Sequence, residues 1–411
     1  MTIQNRRITT DKWAAFTNQN SCIVAFLFSI DKMIVYRKIN EVEFGVDPSK
    51  GAGLLCTPEV AQVIDGDIYE FVEYIYNTTR EYTPMVATWE ITNCCNFNCP
   101  FCYINTPAKP ESIYQSFSKM KDYIDELVES GLLLVYLTGG EILSVPDFLE
   151  IYRYIKAKGV FVVLLSNLSL LTEEHIDLFK QLPPLRITAS IYGLTKKQFT
   201  YVTGAGDDVC QRVLENIILL KNMGINITCQ MPVNVYTISE LTSIAEWCYT
   251  NNIRFTCSNE MTDSYYYESR SMTCVDDETF EQTRRQIRQV KAVESSKIKK
   301  VERAFGYKHH FDCKAGKHTF AVSYNSHIRP CFNIWENDGK AFDGSQSMSK
   351  AMHEMKTYIN EMRRAIIDGC HGCEASMMCS DCLYTLLKHR SNIYEYMHSK
   401  CMENQVRLND L

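Results

Sequence analysis

From Met85 to about Val290 the chain alternates between short apolar runs and amphipathic stretches. The apolar runs at 86–92, 133–137, 160–165, 185–191, 225–231 and 253–257 have the length and the branched, aromatic character of strands. The segments near 113–130, 147–158, 173–181, 209–223, 238–251 and 278–297 place apolar residues at helical spacing. Strand and helix in strict alternation predict a parallel sheet with right-handed crossovers. Six units fall short of a closed eight-fold barrel. The expected fold is α/β: a partial (β/α)6 TIM-like barrel over 85–304, with its chemistry at the carboxyl ends of the strands.

The flanks have a different texture. In 1–84 two strand-like runs, 22–29 and 33–39, meet about Asp31-Lys32. Thr57-Pro58 is a helix start, hydroxyl cap then proline, that ends at Asp65-Gly66, and a second helix covers 67–79. These residues predict a small separate α+β module. Residues 305–411 show few regular elements and hold most of the clustered cysteines, which predicts a domain stapled by metal rather than by a large apolar core. The basic run Lys297–Arg303 reads as a solvated helix face.

Composition narrows the function. With 45% hydrophobic and 22% charged residues the chain is an ordinary globular protein. A net charge of −6 argues against a nucleic-acid binder, which needs a basic surface. No apolar run has the length of a membrane span, and the first residues lack an apolar signal core, so the expected location is the cytoplasm. In that reducing compartment, 18 cysteines point to metal ligation or catalysis rather than disulfides. Cys22, Cys56, Cys94, Cys210, Cys229, Cys248, Cys257 and Cys274 are scattered and mostly read as small core hydrophobes.

Cys95, Cys99 and Cys102 lie within eight residues, directly after the first barrel strand. Three thiolates in one loop can hold three irons of a [4Fe–4S] cube and leave the fourth open to a small molecule. Zinc is the rival, although structural zinc takes four ligands. The spacing C-x3-C-x-Phe-C resembles the radical S-adenosylmethionine (SAM) enzymes. Thr138-Gly139-Gly140-Glu141 follows the second strand, where that family has its GGE motif, and Ser166-Asn167 follows the third. Ser190 ends the fourth strand in Ser-Ile-Tyr-Gly, ahead of Tyr201-Val-Thr-Gly204. The resemblance, which covers 85 to about 260, implies that the three cysteines carry the catalytic cluster. It implies SAM contacts at Tyr103, Thr138, Gly139, Gly140, Glu141, Ser166, Asn167 and Ser190. The glycines would let backbone approach the ligand, Glu141 would accept from the SAM ammonium, Asn167 would meet ribose hydroxyls and Ser190 the carboxylate. Thr203 stands where some relatives have a carboxylate-binding arginine, and its role is unassigned. The chemistry implied is reductive cleavage of SAM and hydrogen abstraction by the 5′-deoxyadenosyl radical.

The tail carries Cys313, Cys331, Cys370-x2-Cys373-x5-Cys379-x2-Cys382 and Cys401. This resembles the SPASM extension, which binds two auxiliary clusters; a zinc ribbon is the alternative. Here two residues rather than three precede the fourth core cysteine, and Ser326 replaces an expected glycine. The resemblance assigns Cys313, Cys331 and Cys382 to the first auxiliary cluster and Cys370, Cys373, Cys379 and Cys401 to the second. Seven cysteines leave the first cluster one ligand short, a place for His318, Cys274, solvent or a substrate thiolate. His309 and His310 read as surface residues.

The resemblance implies three [4Fe–4S] clusters, SAM, a reducing donor of flavodoxin or ferredoxin type, and a ribosomally made precursor peptide with its leader, which 1–84 would recognise. A cysteine-sulfur-to-carbon thioether is the sharpest product expected. Carbon–carbon cross-linking, epimerisation, sulfatase-type formylglycine formation, small-molecule chemistry and non-catalytic iron–sulfur electron transfer are the alternatives.

Overall fold

The computed structural model describes residues 25–29, 32–39, 42–56, 60, 67–79, 83–104, 113–258, 274–290, 315–334 and 341–369. Four antiparallel strands come first: β1 (Ala25–Ser29), β2 (Lys32–Ile39), β3 (Val42–Val46) and β4 (Leu54–Leu55), paired in that order. Ser29 pairs with Lys32, so Lys32, expected in the turn, is the first residue of β2. The sequence pattern missed β3 and β4, while the helix expected from Thr57 to Gly66 lies largely outside the described residues. Helix α1 (Ile68–Thr79) starts where Asp67 accepts the Tyr69 N–H at 2.7 Å.

The predicted barrel follows. Strands β5 (Val86–Glu90), β6 (Leu134–Thr138), β7 (Phe161–Ser166), β8 (Arg186–Ser190), β9 (Ile227–Pro232) and β10 (Arg254–Ser258) are parallel neighbours in chain order. The intervening helices are α2 (Phe117–Glu129), α3 (Phe148–Ala157), α4 (Glu173–Gln181), α5 (Lys196–Thr203), α6 (Val209–Asn222) and α7 (Leu241–Thr250), and α8 (Asp277–Val290) follows β10. Alternate strand residues, such as Ala87 and Trp89, Val135 and Leu137, Val162 and Leu164, and Ile187 and Ala189, pack under these helices as one core. The other residues of each strand face into the barrel. On β6 and β7 these are mostly apolar, and Leu134, Phe161 and Val163 share a second core with Phe44, Phe71 and Ile75 of the amino-terminal residues.

That second core places the amino-terminal module at the barrel floor, against the loops that enter β6, β7 and β8. Buried Arg37 donates to the carbonyls of Val128 and Gly159. Buried Lys156 donates to Pro183 O at 3.0 Å and Lys50 O at 3.4 Å. Burial lowers the Lys156 ammonium to about 8, with Asp47 opposing the shift. An unfolded lysine titrates near 10.4, so between these values the unfolded chain binds more protons and stability rises with pH. Below pH 8 the buried charge costs about 3 kcal/mol. Melting temperatures measured from pH 7 to 10 should show this rise in the wild type and a weaker one in Lys156→Met; parallel curves would remove the assignment.

The carboxyl-terminal part corrects the expectation of few regular elements. Strand β11 (Thr319–Val322) joins the barrel sheet parallel to β5, and β12 (His327–Arg329) and β13 (Phe342–Asp343) extend it antiparallel. The 22-residue helix α9 (Met348–Gly369) buries Met348, Ala351, Met352, Met355 and Ile359. Glu126 of α2 caps its start by accepting from Ser347 Oγ and Ser349 N, both at 2.8 Å. The described apolar residues of 315–334 and 341–369 thus pack in the same core as the barrel helices. Among the described residues no helix is long and apolar enough to cross a membrane.

Candidate active site

The carboxyl ends of β5 to β8 and the loop after β5 meet at the barrel mouth. The loop holding Cys95, Cys99 and Cys102 is fixed by its neighbours more than by its own bonds. Asn98 N–H donates to Thr203 O at 2.7 Å, and Phe97 and Phe199 meet edge to face. Thr203, unassigned from sequence, therefore anchors the loop through its carbonyl. Phe101 lies against Tyr192 and Tyr236. Cys99 is buried, and Cys95 and Cys102 are half-buried.

Burial pushes the Cys99 thiol well above its usual range, and negative charge on Cys102 and Cys95 adds to the shift. The three sulfurs share one field, so a bound cation is what would make all of them thiolates. Among the described residues no three His, Cys, Asp or Glu side chains gather as ligands of one ion do. In donor type, three thiols in one loop, the residues fit a four-iron cluster.

One carboxylate ties the motifs together. Glu141 is fully buried; Oε1 accepts from Ser166 Oγ at 2.7 Å and Leu143 N at 3.0 Å, and Oε2 from Asn167 N at 2.7 Å. Burial raises its pKa and these three donors oppose the rise. Both oxygens thus have a partner inside the protein, and Oε2, with one donor, keeps acceptor capacity for the ammonium that the family resemblance implies. Asn167 continues the network: Nδ2 donates to Asn96 Oδ1 at 3.1 Å and lies 4.0 Å from Cys95 Sγ, while Oδ1 accepts from Ser169. Asn96 donates in turn to Ser169 Oγ at 2.8 Å. Asn96 and Ser169 were missed from sequence, since Asn96 fills an unspecified position of the cysteine motif and Ser169 lies outside the motifs.

Gly139 and Gly140 make room for backbone. The Gly140 N–H donates to Thr92 O at 2.9 Å and the Glu141 N–H to Cys94 O at 2.7 Å. Burial, aided by Glu90 and Cys102 and opposed by Thr138, pushes the Tyr103 phenol well up. Burial and then Cys99 raise the Tyr192 phenol, and Ser190 opposes the rise.

The mouth also receives β12. Arg329 and Glu90 form an ion pair at 3.2 Å with both side chains fully buried. Arg329 also donates to the carbonyls of Phe332 and Ile334 at 3.3 and 3.1 Å, which orders the chain on either side of Cys331. Phe332 meets Tyr103 edge to face at 5.1 Å. The residue after Cys331 therefore touches the residue after Cys102. Cys313, Cys370, Cys373, Cys379, Cys382 and Cys401 lie outside the described residues. Of the two protein candidates for the open ligand place, Cys274 is half-buried before α8, and His318 is buried with Nδ1 3.1 Å from Thr83 O and its ring against Tyr76.

Residues 89–248 match the radical SAM superfamily. An AdoMet-dependent heme synthase from Methanosarcina barkeri is 30% identical over 166 residues, 40% of this chain and 46% of that protein. The antilisterial bacteriocin subtilosin biosynthesis protein AlbA from Bacillus subtilis is 36% identical over 98 residues, 24% of this chain and 21% of AlbA. The chain thus spans less than half the length of these curated relatives. Streptococcus suis SuiB bound to S-adenosylmethionine shares the fold, with a TM-score of 0.58 at 12% identity over 90% of this chain and 96% of SuiB. SuiB bound to its precursor peptide SuiA gives 0.57 at 14% identity over 78% of each chain.

Proposed function

This chain carries a radical SAM domain, and from that premise we propose that it is a maturase of a ribosomally made peptide. The carrying observation is the network from Glu141 through Ser166 and Asn167 to the Cys95 loop, which holds three strand ends in one arrangement at the barrel mouth. Its likeness in sequence to AlbA, and in fold to SuiB, supports a peptide substrate over the heme chemistry of the other relative.

Cys95, Cys99 and Cys102 would hold the [4Fe–4S] cluster, which when bound supplies the electron that splits SAM into methionine and the hydrogen-abstracting 5′-deoxyadenosyl radical. The chain's own residues position and shield. Tyr103, Thr138, Gly139, Gly140, Ser166, Asn167 and Ser190 would surround SAM, and Glu141 holds the strand ends of β6 and β7 together. The apolar floor closes the barrel against water from below. Cys313, Cys331 and Cys382, and Cys370, Cys373, Cys379 and Cys401, would bind two auxiliary clusters of SPASM type, with Arg329 ordering the chain about Cys331. The amino-terminal sheet would offer a leader segment an edge to pair with.

The sharper form of the reading is a thioether. A substrate carbon gives a hydrogen atom to the deoxyadenosyl radical, and a substrate cysteine gives up its thiol proton. The sulfur–carbon bond forms as one electron leaves to an iron–sulfur acceptor. Anaerobically reconstituted protein with SAM, dithionite and a cysteine-containing precursor peptide from a neighbouring reading frame should give 5′-deoxyadenosine and a peptide lighter by two hydrogen atoms. A cysteine-to-serine peptide should stay unmodified. Modification of the serine peptide would replace the thioether by another peptide modification; no deoxyadenosine under any condition would sink the whole reading.

A further inference from the structure

The inner face of the barrel changes character between β7 and β8. Ile187 and Ala189 belong to the helix-facing core, so Arg186, Thr188 and Ser190 face inward. Register carries that face across the sheet: Thr188 pairs with Thr228, and Thr228 with Arg254. Arg186, Thr188, Thr228 and Arg254 thus form one patch on adjacent strands. At its lower edge, Tyr69 of α1 and Tyr136 of β6 bring their phenol oxygens together, and Arg186 Nη2 donates to Tyr69 Oη at 3.5 Å.

Every group in this patch can donate a hydrogen bond, and none is a carboxylate. Among the described residues neither arginine has an acidic partner. Arg186 Nε is buried without a hydrogen-bond partner. Thr228 is 4% exposed, and its hydroxyl is likewise unpartnered. Arg186 is half-buried without a counter-charge among the described residues, and a buried hydrogen bond left unmade at its Nε is costly. Both deficits sit on one face and would be met by one planar anion. Glu90, also on the inner face, is already paired with Arg329.

We infer that this patch receives a carboxylate of the substrate, resting on the peptide reading above. The carboxylate belongs to an Asp or Glu side chain or to the peptide's carboxyl terminus. Arg186 lies four residues below Ser190, roughly 13 Å along the strand. Anchored there, the substrate would present a carbon several bonds from its carboxylate to the mouth. The floor then belongs to the site as well, because α1 contributes Tyr69.

Full-length reconstituted protein with methionine and 5′-deoxyadenosine present can be titrated by calorimetry with two probe pairs. N-acetylglutamate methylamide against its glutamine analogue tests a side chain; N-acetylalanine against its amide tests a terminus. The expected result is that in one pair the acid binds about ten- to a hundredfold more tightly than the amide. Arg186→Gln and the exposed Arg254→Gln should each abolish that preference, with melting temperature checking the fold. Equal binding of acid and amide in both pairs overturns the inference. So does a preference that survives both substitutions, or displacement of the acid probe by SAM, which would assign the patch to SAM's own carboxylate. The assay needs no turnover, so its failure is distinct from failure of the maturase reading.

Discussion

Replacing Cys95, Cys99 and Cys102 together by alanine should lower the iron content of the reconstituted protein by about four atoms and abolish 5′-deoxyadenosine formation. The fold should survive, because the loop is held by contacts that do not use the sulfurs: the Asn98 bond to Thr203, the Phe97–Phe199 pair and the packing of Phe101. Cys94 provides the contrast. Its sulfur lies 3.8 Å from Asn93 Oδ1 and 3.9 Å from Ile113 O, toward the chain leaving the loop. Cys94→Ala should therefore keep both the iron and the cleavage. Iron assay, the four-iron absorbance and chromatography of SAM products read all three outcomes. If the triple variant still cleaves SAM, these cysteines do not hold the catalytic cluster.

The barrel was readable in the sequence because its signals are local. Each of the six strands lies within a few residues of its expected run, since an apolar stretch between amphipathic helices admits few other placements. Helix α5 was passed over although its signals are present: Thr195 caps it by accepting Gln198 N–H, and Gly204 ends it in the left-handed region. Strand β11 had no such signal. Four residues become a strand only by pairing with β5, more than two hundred positions earlier, and hydrophobic period cannot show a partner at that distance. Helix α9 carries apolar residues at helical spacing, but the clustered cysteines beside it suggested a domain with little packing of its own.

The site was legible as residue types and less so as roles. Cysteine spacing and the GGE turn stand out in sequence, and the structure brings them together. Which partner each polar group chooses depends on approach geometry that spacing does not contain. Glu141 faces inward because the chain turns directly after Gly140 into a short 3-10 helix, which Glu141 caps through Leu143 N. Likewise, Asn96 and Ser169 matter only because the loops after β5 and β7 touch.

The same close approach makes Gly140→Ala the single substitution expected to do most damage. A Cβ at Gly140 would stand 1.9 Å from Cys94 O, 2.4 Å from Cys94 C and 2.9 Å from Cys95 N. All three are backbone atoms, so no side chain can swing aside. Either the Cys95 loop or the turn after β6 must move by about an ångström or more to restore ordinary contact. Such a shift would break the Glu141 N–H to Cys94 O bond and pull Cys95 from the place that Asn167 borders. Displacement on that scale at a reacting centre costs about a hundredfold in rate, so 5′-deoxyadenosine formation should fall by at least that factor. The electron paramagnetic resonance signal of the reduced catalytic cluster should change with it. Gly206→Ala is the control: a Cβ there would meet Asp208 Oδ1 first, at 3.4 Å, and that atom belongs to a side chain that can turn away. Its rate and spectrum should match the wild type. Wild-type activity in Gly140→Ala would mean that the glycine pair does not set the position of the cysteine loop.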